Sequence, residues 1–300
     1  LASPARQRFD YALLRGVTAA SAILPRRVLL ALGRGAGRLV WARGLYRRGI
    51  VRDNLRHAFG NEMDEARRET VAAGFFRHLG TNLMEFLLLG RLDRDEIRAW
   101  VDVEGLEHYH AAAAAGHGVL LVTGHFGNWE LLAARLTTEG IPVTSLGKKQ
   151  SNARADRLLS SIRERAGLRV LQTGGSLKEI VTTLRGGGAI GIVGDQDAGP
   201  EGVFIPFLGR PASFYRGTAY FSWKLQAPIV TAMIYRLPDG RHRAELGPPF
   251  AAEPGWDEPT AVARLTGVYA QRLETAVRRA PEQYVWTHRR WKTRPPEETT

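Results

Sequence analysis

The residues best placed to do chemistry lie in the run Val119-Leu-Leu-Val-Thr-Gly-His-Phe-Gly-Asn-Trp-Glu130. An apolar stretch with the character of a buried strand ends at Thr123-Gly124, and His125 follows at once. Glu130 comes five residues later, as the apolar pattern resumes at Leu131 and Leu132. Histidine is the side chain suited to taking a proton near neutral pH. A carboxylate beside it can hold the ring in one tautomer and stabilise the imidazolium that forms, so the two read as a general base and its partner. The same residues also fit a plainer arrangement, a histidine capping the next helix and a glutamate in the favourable field at its amino end. Position favours the chemistry, because open α/β sheets gather ligands outside the carboxyl ends of their strands. Gly124 and Gly127 would let a substrate approach the backbone closely. Asn128 is placed to cap the following helix, and Trp129 suits core or pocket wall.

Other polar groups fall on the same predicted edge. Gly194-Asp-Gln-Asp-Ala-Gly199 follows the apolar run Ala189–Val193, which in a parallel sheet brings Asp195 and Gln196 towards His125. Asp195 and Asp197 suit a polar wall or loop-nucleating turns better than a metal site, since two carboxylates without a nearby histidine make a poor ligand shell. Lys148, Lys149 and Arg154 follow the strand-like Val143–Leu146 and either meet phosphates or are simply solvated. Phe204-Ile-Pro-Phe-Leu-Gly209 is read either as a core-facing loop or as an apolar rim admitting an acyl chain. Pro281–Lys292 gathers aromatics, His288 and three cations, as an interfacial belt or a carboxyl-terminal cap.

The elements that must position these residues follow from periodicity. Residues 8–24, 27–48 and 64–90 have helical spacing. From about residue 101, short apolar runs alternate with helical patterns through a long helix at Pro259–Ala280, with Gly194–Pro211 read as a loop and Tyr284–Trp286 as a short final strand. Such alternation implies an α/β fold, a mostly parallel sheet flanked by helices.

Composition narrows the chemistry. The absence of cysteine excludes a thiolate nucleophile, disulfides and a thiolate zinc site. The net charge of +12 is concentrated at the amino end, where residues 1–60 hold twelve arginines against Asp10 and Asp53. These arginines interleave with Leu, Val, Ile and Trp41 and never leave about 18 uninterrupted apolar residues. The segment therefore reads as amphipathic helices on an anionic surface, or as a basic helical hairpin packed on the main domain with its arginines simply solvated. Nucleic acid is disfavoured, since no recognition-helix, zinc-finger or stacking-aromatic motif accompanies the charge. The expected organisation is a basic amphipathic region over residues 1–60, an α/β domain over 61–294, and a loose tail over 295–300.

Taken together these segments resemble the lipid A biosynthesis acyltransferases, within the lysophospholipid acyltransferase superfamily. The resemblance is carried by Asn54-Leu55-Arg56-x-Ala58-Phe59, Phe76-Arg77-His78-Leu79-Gly80 with Glu85, and the His-x4-Glu run itself. It continues through Asp195-Gln196-Asp197-Ala198-Gly199, Val203–Gly209 with Pro211-Ala212, and Pro281-Glu282-Gln283-Tyr284 with His288-Arg289-Arg290. It implies a lysophospholipid acyltransferase-like fold and transfer of an acyl group from acyl carrier protein to a hydroxyl of a glucosamine-based lipid A precursor. The implied setting is the cytoplasmic face of the inner membrane, with no cofactor or metal, His125 as general base and Glu130 as its partner. Asn128, Lys148, Arg165, Asp195 and Gln196 are the expected substrate-binding or site-shaping residues. The chain carries only Gly199-Pro-Glu-Gly-Val-Phe204 where the glycerolipid branch has a Phe-Pro-Glu-Gly-Thr-Arg type box, which disfavours a glycerol-phosphate acceptor. Where the family commonly has arginine after the third strand, this chain has Lys148, a point charge rather than a bidentate fork. The alternatives are another glycolipid, phospholipid or aminolipid acceptor, a catalytically idle membrane scaffold, and a metal-dependent hydrolase.

Overall fold

A computed structural model describes residues 3–147, 150–172 and 177–296. Five helices open the chain: α1 (Pro4–Ile23), α2 (Arg26–Arg43), α3 (Arg48–Phe59), α4 (Glu65–Leu89) and α5 (Arg94–Trp100). There follow β1 (Val101–Glu104), α6 (Leu106–Ala113), β2 (Val119–Thr123), α7 (Trp129–Thr138), β3 (Val143–Gly147), α8 (Ala153–Arg165), β4 (Arg169–Gln172), α9 (Leu177–Arg185) and β5 (Ala189–Val193). The remainder comprises β6 (Val203–Phe207), β7 (Arg210–Phe214), α10 (Gly217–Leu225), β8 (Ile229–Arg236), β9 (His242–Leu246) and α11 (Glu258–Arg279).

The main sheet has the order β1-β9-β8-β2-β5-β3-β4. Every pairing in it is parallel except β8 with β9. β2 is central and wholly buried, which is why Val119–Thr123 is apolar without alternation. Its successive side chains feed two cores, Leu120 and Val122 on one face, Val119 and Leu121 on the other. β2 pairs with β5 so that Thr123 lies opposite Val193, and the segments leaving the two strands emerge side by side.

Two sequence expectations are corrected here. The stretch read as a loop over Gly194–Pro211 contains β6 and most of the β6–β7 hairpin, whose turn at Leu208-Gly209 has both residues at positive φ. Phe207, Leu208 and Phe214 of this hairpin are buried in the core. The expected strand at Tyr284–Trp286 does not join the sheet. A 3-10 turn at Pro281–Gln283 leads instead into a single antiparallel bridge between Tyr284 and Phe126.

The amino-terminal helices have two distinct sides. α2 buries Leu29, Leu30, Gly33 and Gly37 against α4. A Cβ on Gly37 would overlap the Phe76 carbonyl, so the helices approach backbone to backbone. The opposite side of α2 exposes Val28, Leu32 and Leu39, and α1 exposes Phe9, Leu13 and Ile23. Among the described residues no helix is long and apolar enough to cross a membrane.

Candidate active site

The site is assembled at the carboxyl ends of β2 and β5. Because Thr123 and Val193 are in register, His125 and Asp195, each two residues beyond, are neighbours. Asp195 Oδ1 accepts two hydrogen bonds from His125, from the backbone N–H at 2.9 Å and from ring Nδ1 at 2.7 Å. The ring is thereby fixed with Nδ1 protonated, and Nε2 keeps its lone pair. Nε2 lies 3.4 Å from the Gln196 amide nitrogen, and Trp129 packs edge-on against the imidazole with ring centroids 4.9 Å apart.

Electrostatics favour a strong base here. Burial alone would push the imidazole down; the charge and hydrogen bond of Asp195 outweigh it, with a smaller contribution from Glu130, and hold His125 above its ordinary value. Asp195 is buried, which would raise its carboxyl, but the His125 charge and hydrogen bonds, helped by Arg290, keep it below the usual carboxylate range. Arg290 is itself buried, 1% exposed. It packs 4.2 Å from the Phe214 ring and donates from Nη1 to the Ser213 carbonyl at 2.8 Å. Burial, then the Asp195 charge, pushes the Tyr269 and Tyr284 phenols well above their ordinary value, so both stay neutral. Tyr269 donates to the Thr123 carbonyl at 2.9 Å, just below the His125 turn.

The hydrogen bond expected from Glu130 to His125 is therefore made by Asp195 instead. Glu130 sits in the first turn of α7 and faces α8, where Arg163 grips it through Nε at 3.0 Å and Nη2 at 2.5 Å. Arg165, singled out from the sequence, is exposed at the end of α8. Two residues apart on a helix differ by about 200° in direction, so only one of these arginines can face α7. Asn128 is buried: its Oδ1 accepts from Leu131 N–H at 3.1 Å and caps α7 as expected. Lys148, with Lys149, lies outside the described residues. Asp197 accepts from Gly199 N–H at 3.1 Å and from the Thr293 hydroxyl and backbone at 2.8 and 3.0 Å. Among the described residues no three His, Asp or Glu side chains gather as metal ligands.

What the sequence did not expose is how firmly the His125 turn is anchored by distant segments. Val285 N–H donates to the His125 carbonyl and Gly127 N–H donates to the Gln283 carbonyl, both at 2.9 Å. Gly127 has φ +58°, and a Cβ there would collide with the Ile234 carbonyl, so glycine is required. Its carbonyl accepts from Asn82 Nδ2 at 2.5 Å and His78 Nε2 at 3.2 Å on α4. The carboxyl-terminal segment also fixes the neighbouring loop, with His288 Nε2 accepting from Asp197 N–H at 2.9 Å. Asn54 of α3 holds that segment from behind, donating to the Trp286 and His288 carbonyls at 2.7 and 2.6 Å. Thus Asn54, His78, Gln283 and His288, carried by the motifs of the resemblance, converge on the two loops at the site.

Residues 4–293 match the family model described as bacterial lipid A biosynthesis acyltransferase. The chain belongs to this family. It is 32% identical over 275 residues to the lipid A biosynthesis lauroyltransferase of Escherichia coli (strain K12), covering 91% of this chain and 88% of the relative. It is 31% identical to the palmitoleoyltransferase of the same organism, covering 91% and 87%, and 26% identical to its myristoyltransferase, covering 90% and 82%. In this lipid A type acyltransferase the His125 Nε2 edge lies between Gln196 and Trp129.

Proposed function

We propose that this acyltransferase works at a membrane surface, moving a fatty acyl chain from acyl carrier protein to a hydroxyl of a glucosamine-based lipid A precursor, with His125 as general base. The observation that carries the reading is the His125 Nδ1 to Asp195 contact of 2.7 Å, which leaves Nε2 as the ring's proton acceptor. Nε2 takes the proton of the acceptor hydroxyl as its oxygen attacks the thioester carbonyl carbon. The new C–O bond forms, the C–S bond breaks, and the imidazolium returns its proton to the departing thiolate. The Gln196 amide, 3.4 Å from Nε2, is placed to donate to the oxygen that gains charge. Glu130, gripped by Arg163, supports the imidazolium through its charge. No acyl-enzyme is needed, and the chain has no cysteine to form a thioester.

The exposed apolar side chains Phe9, Leu13, Ile23, Val28, Leu32 and Leu39, interleaved with exposed Arg8, Arg15, Arg27, Arg34 and Arg38, support peripheral docking on an anionic leaflet, for which the cytoplasmic face of the inner membrane is the natural place. Raised salt should weaken vesicle binding, because attraction between exposed charges is screened beyond about 8 Å at physiological ionic strength. Cosedimentation with anionic vesicles across a salt series measures it, and binding indifferent to salt would remove the arginines from the account.

The test of function offers a panel of acyl carrier protein thioesters to a tetra-acylated, Kdo-bearing lipid A precursor and reads the products by mass spectrometry. A single added acyl mass, lost with His125→Ala, supports the reading. Product only with a different glycolipid or phospholipid acceptor, or only with coenzyme A thioesters, would replace the corresponding half of it.

A further inference from the structure

Behind the His125 turn lies a second cluster of buried charge that the chemistry above does not use. Glu85 of α4 is fully buried, as is His242 at the start of β9, and Arg236 ends β8 beside them. Arg236 donates to both Glu85 oxygens, the Nη2–Oε2 contact being 2.9 Å. His242 Nε2 lies 3.1 Å from Glu85 Oε1, and its buried Nδ1 has no partner among the described residues, so the proton belongs on Nε2, donated to Glu85. Arg236 also donates to the Asn82 amide oxygen and, through Nε at 3.4 Å, to His78 Nδ1. With Nδ1 facing the Arg236 donor, the His78 proton is assigned to Nε2, which lies 3.2 Å from the Gly127 carbonyl and 3.0 Å from Asn82 Nδ2.

Two outputs of this cluster reach the catalytic turn. Glu85 Oε2 accepts from Asn128 Nδ2 at 2.8 Å, which orients the amide that caps α7 and so sets the start of the helix bearing Glu130. Asn82 and His78, oriented by Arg236, hold the Gly127 carbonyl. A buried ion pair is a weak source of stability, and apolar residues of similar volume often serve as well. A set of fixed donors and acceptors aimed at one turn is a different matter, because small misplacements at a reacting centre are costly.

We propose that the Glu85–Arg236 pair positions the catalytic turn: through Asn128 and Gly127 it holds the His125 ring on Asp195. Neither residue touches the reacting atoms; both act through the turn. The kinetic half of the test rests on the acyltransferase reading above, so it is coupled to a readout that needs no substrate.

The experiment compares wild type with Glu85→Leu/Arg236→Met, which removes both charges together and leaves neither unpaired. Thermal stability, kcat, KM and the titration of the His125 ring, followed by 13C-labelled histidine NMR and assigned with His125→Gln, are measured on the full chain. The expected double variant remains folded, keeps KM, loses about 10²-fold in kcat, and has a His125 ring that titrates lower than in wild type. A folded double variant with wild-type kcat and an unmoved ring titration would overturn the proposal. If the double variant does not fold, Asn82→Ala, which leaves both charges paired, carries the same expectation in milder form, and an unmoved ring and kcat there would overturn it equally. Should wild type prove inactive on the lipid A precursor, the functional reading fails while the ring titration still decides this one.

Discussion

Among the described residues two histidines lie against carboxylates, His125 through Nδ1 on Asp195 at 2.7 Å and His242 through Nε2 on Glu85 at 3.1 Å, and they behave oppositely. His125 is held above its ordinary value, whereas His242 lies well below, because burial and then the Arg236 charge disfavour its protonation. The difference is charge balance. Glu85 is neutralised by Arg236 in direct contact, so His242 gains little from the carboxylate and suffers the cation. Asp195 has Arg290 only as a weaker influence, and its charge remains available to the imidazolium. The pairs differ also in access, since the His125 side chain retains 22% exposure and His242 none. On the proposed reading, a histidine beside a carboxylate serves as a base when the carboxylate is uncompensated and the ring keeps access to solvent; otherwise the same pair is a structural strut.

The largest break in this contrast is His125→Ala. It should cost about 10²–10⁴-fold in turnover, the usual worth of a positioned base, with circular dichroism and thermal melting near wild type. Retained turnover in a folded variant would move the chemistry elsewhere.

Next comes Arg236→Met, which strips the balancing cation from Glu85 while leaving the carboxylate buried. Removing one partner of a buried pair costs about 3–5 kcal/mol, visible as a large drop in melting temperature. The His242 ring, now facing an uncompensated carboxylate, should titrate upward in NMR, making the strut resemble the base.

Asp195→Asn is the converse. Loss of the orienting charge should lower kcat by about 10²-fold and move the acid limb of the rate profile to lower pH, since the imidazolium is no longer favoured. A limb that stays in place would assign the control of His125 to Glu130.

The smallest effects are in the pH dependence of stability, and they have opposite signs. His125 has a raised value in the folded state, so its contribution is present below about pH 6.5 and is lost as pH rises through the folded value. His242 and His78 are depressed, so the unfolded chain binds their protons first and stability falls as pH drops below about 6.5, by up to about 1.4 kcal/mol per unit for each group. Chemical denaturation across pH should find His125→Gln flattening the alkaline side and His242→Gln flattening the acid side.

Much of this arrangement was legible in the residues. The apolar run of β2, the glycine-flanked His125 and the capping Asn128 lie within ten residues of one another, and local pattern is enough to place them. The parallel-sheet inference put Asp195 on the correct edge, but which carboxylate bonds the ring depends on register between strands, which no local pattern encodes. Arg163 and Arg165 differ only in helical phase, and nothing in α8 by itself says which faces α7. The Glu85 cluster joins α4 to β8 and β9, whose Arg236 and His242 lie 151 and 157 residues from Glu85 in sequence. Its traces are faint: His78, Asn82 and Glu85 at steps of four and three on the buried half of α4, and an arginine ending the mostly apolar run of β8. The hairpin β6–β7 was obscured by its prolines, and the strand-like Tyr284–Trp286 meets the His125 turn, through the Tyr284–Phe126 bridge, rather than the sheet.

That last pairing has a consequence for the order in which the protein is made. His125 emerges from the ribosome well before the groups that hold its carbonyl and the Asp197 carboxylate of the neighbouring loop, Val285 N–H and the Thr293 backbone and hydroxyl. Until those residues are added, both loops lack the floor beneath them. Truncation before Gln283 is therefore expected to abolish turnover, which an acyl-transfer assay on the shortened chain would check.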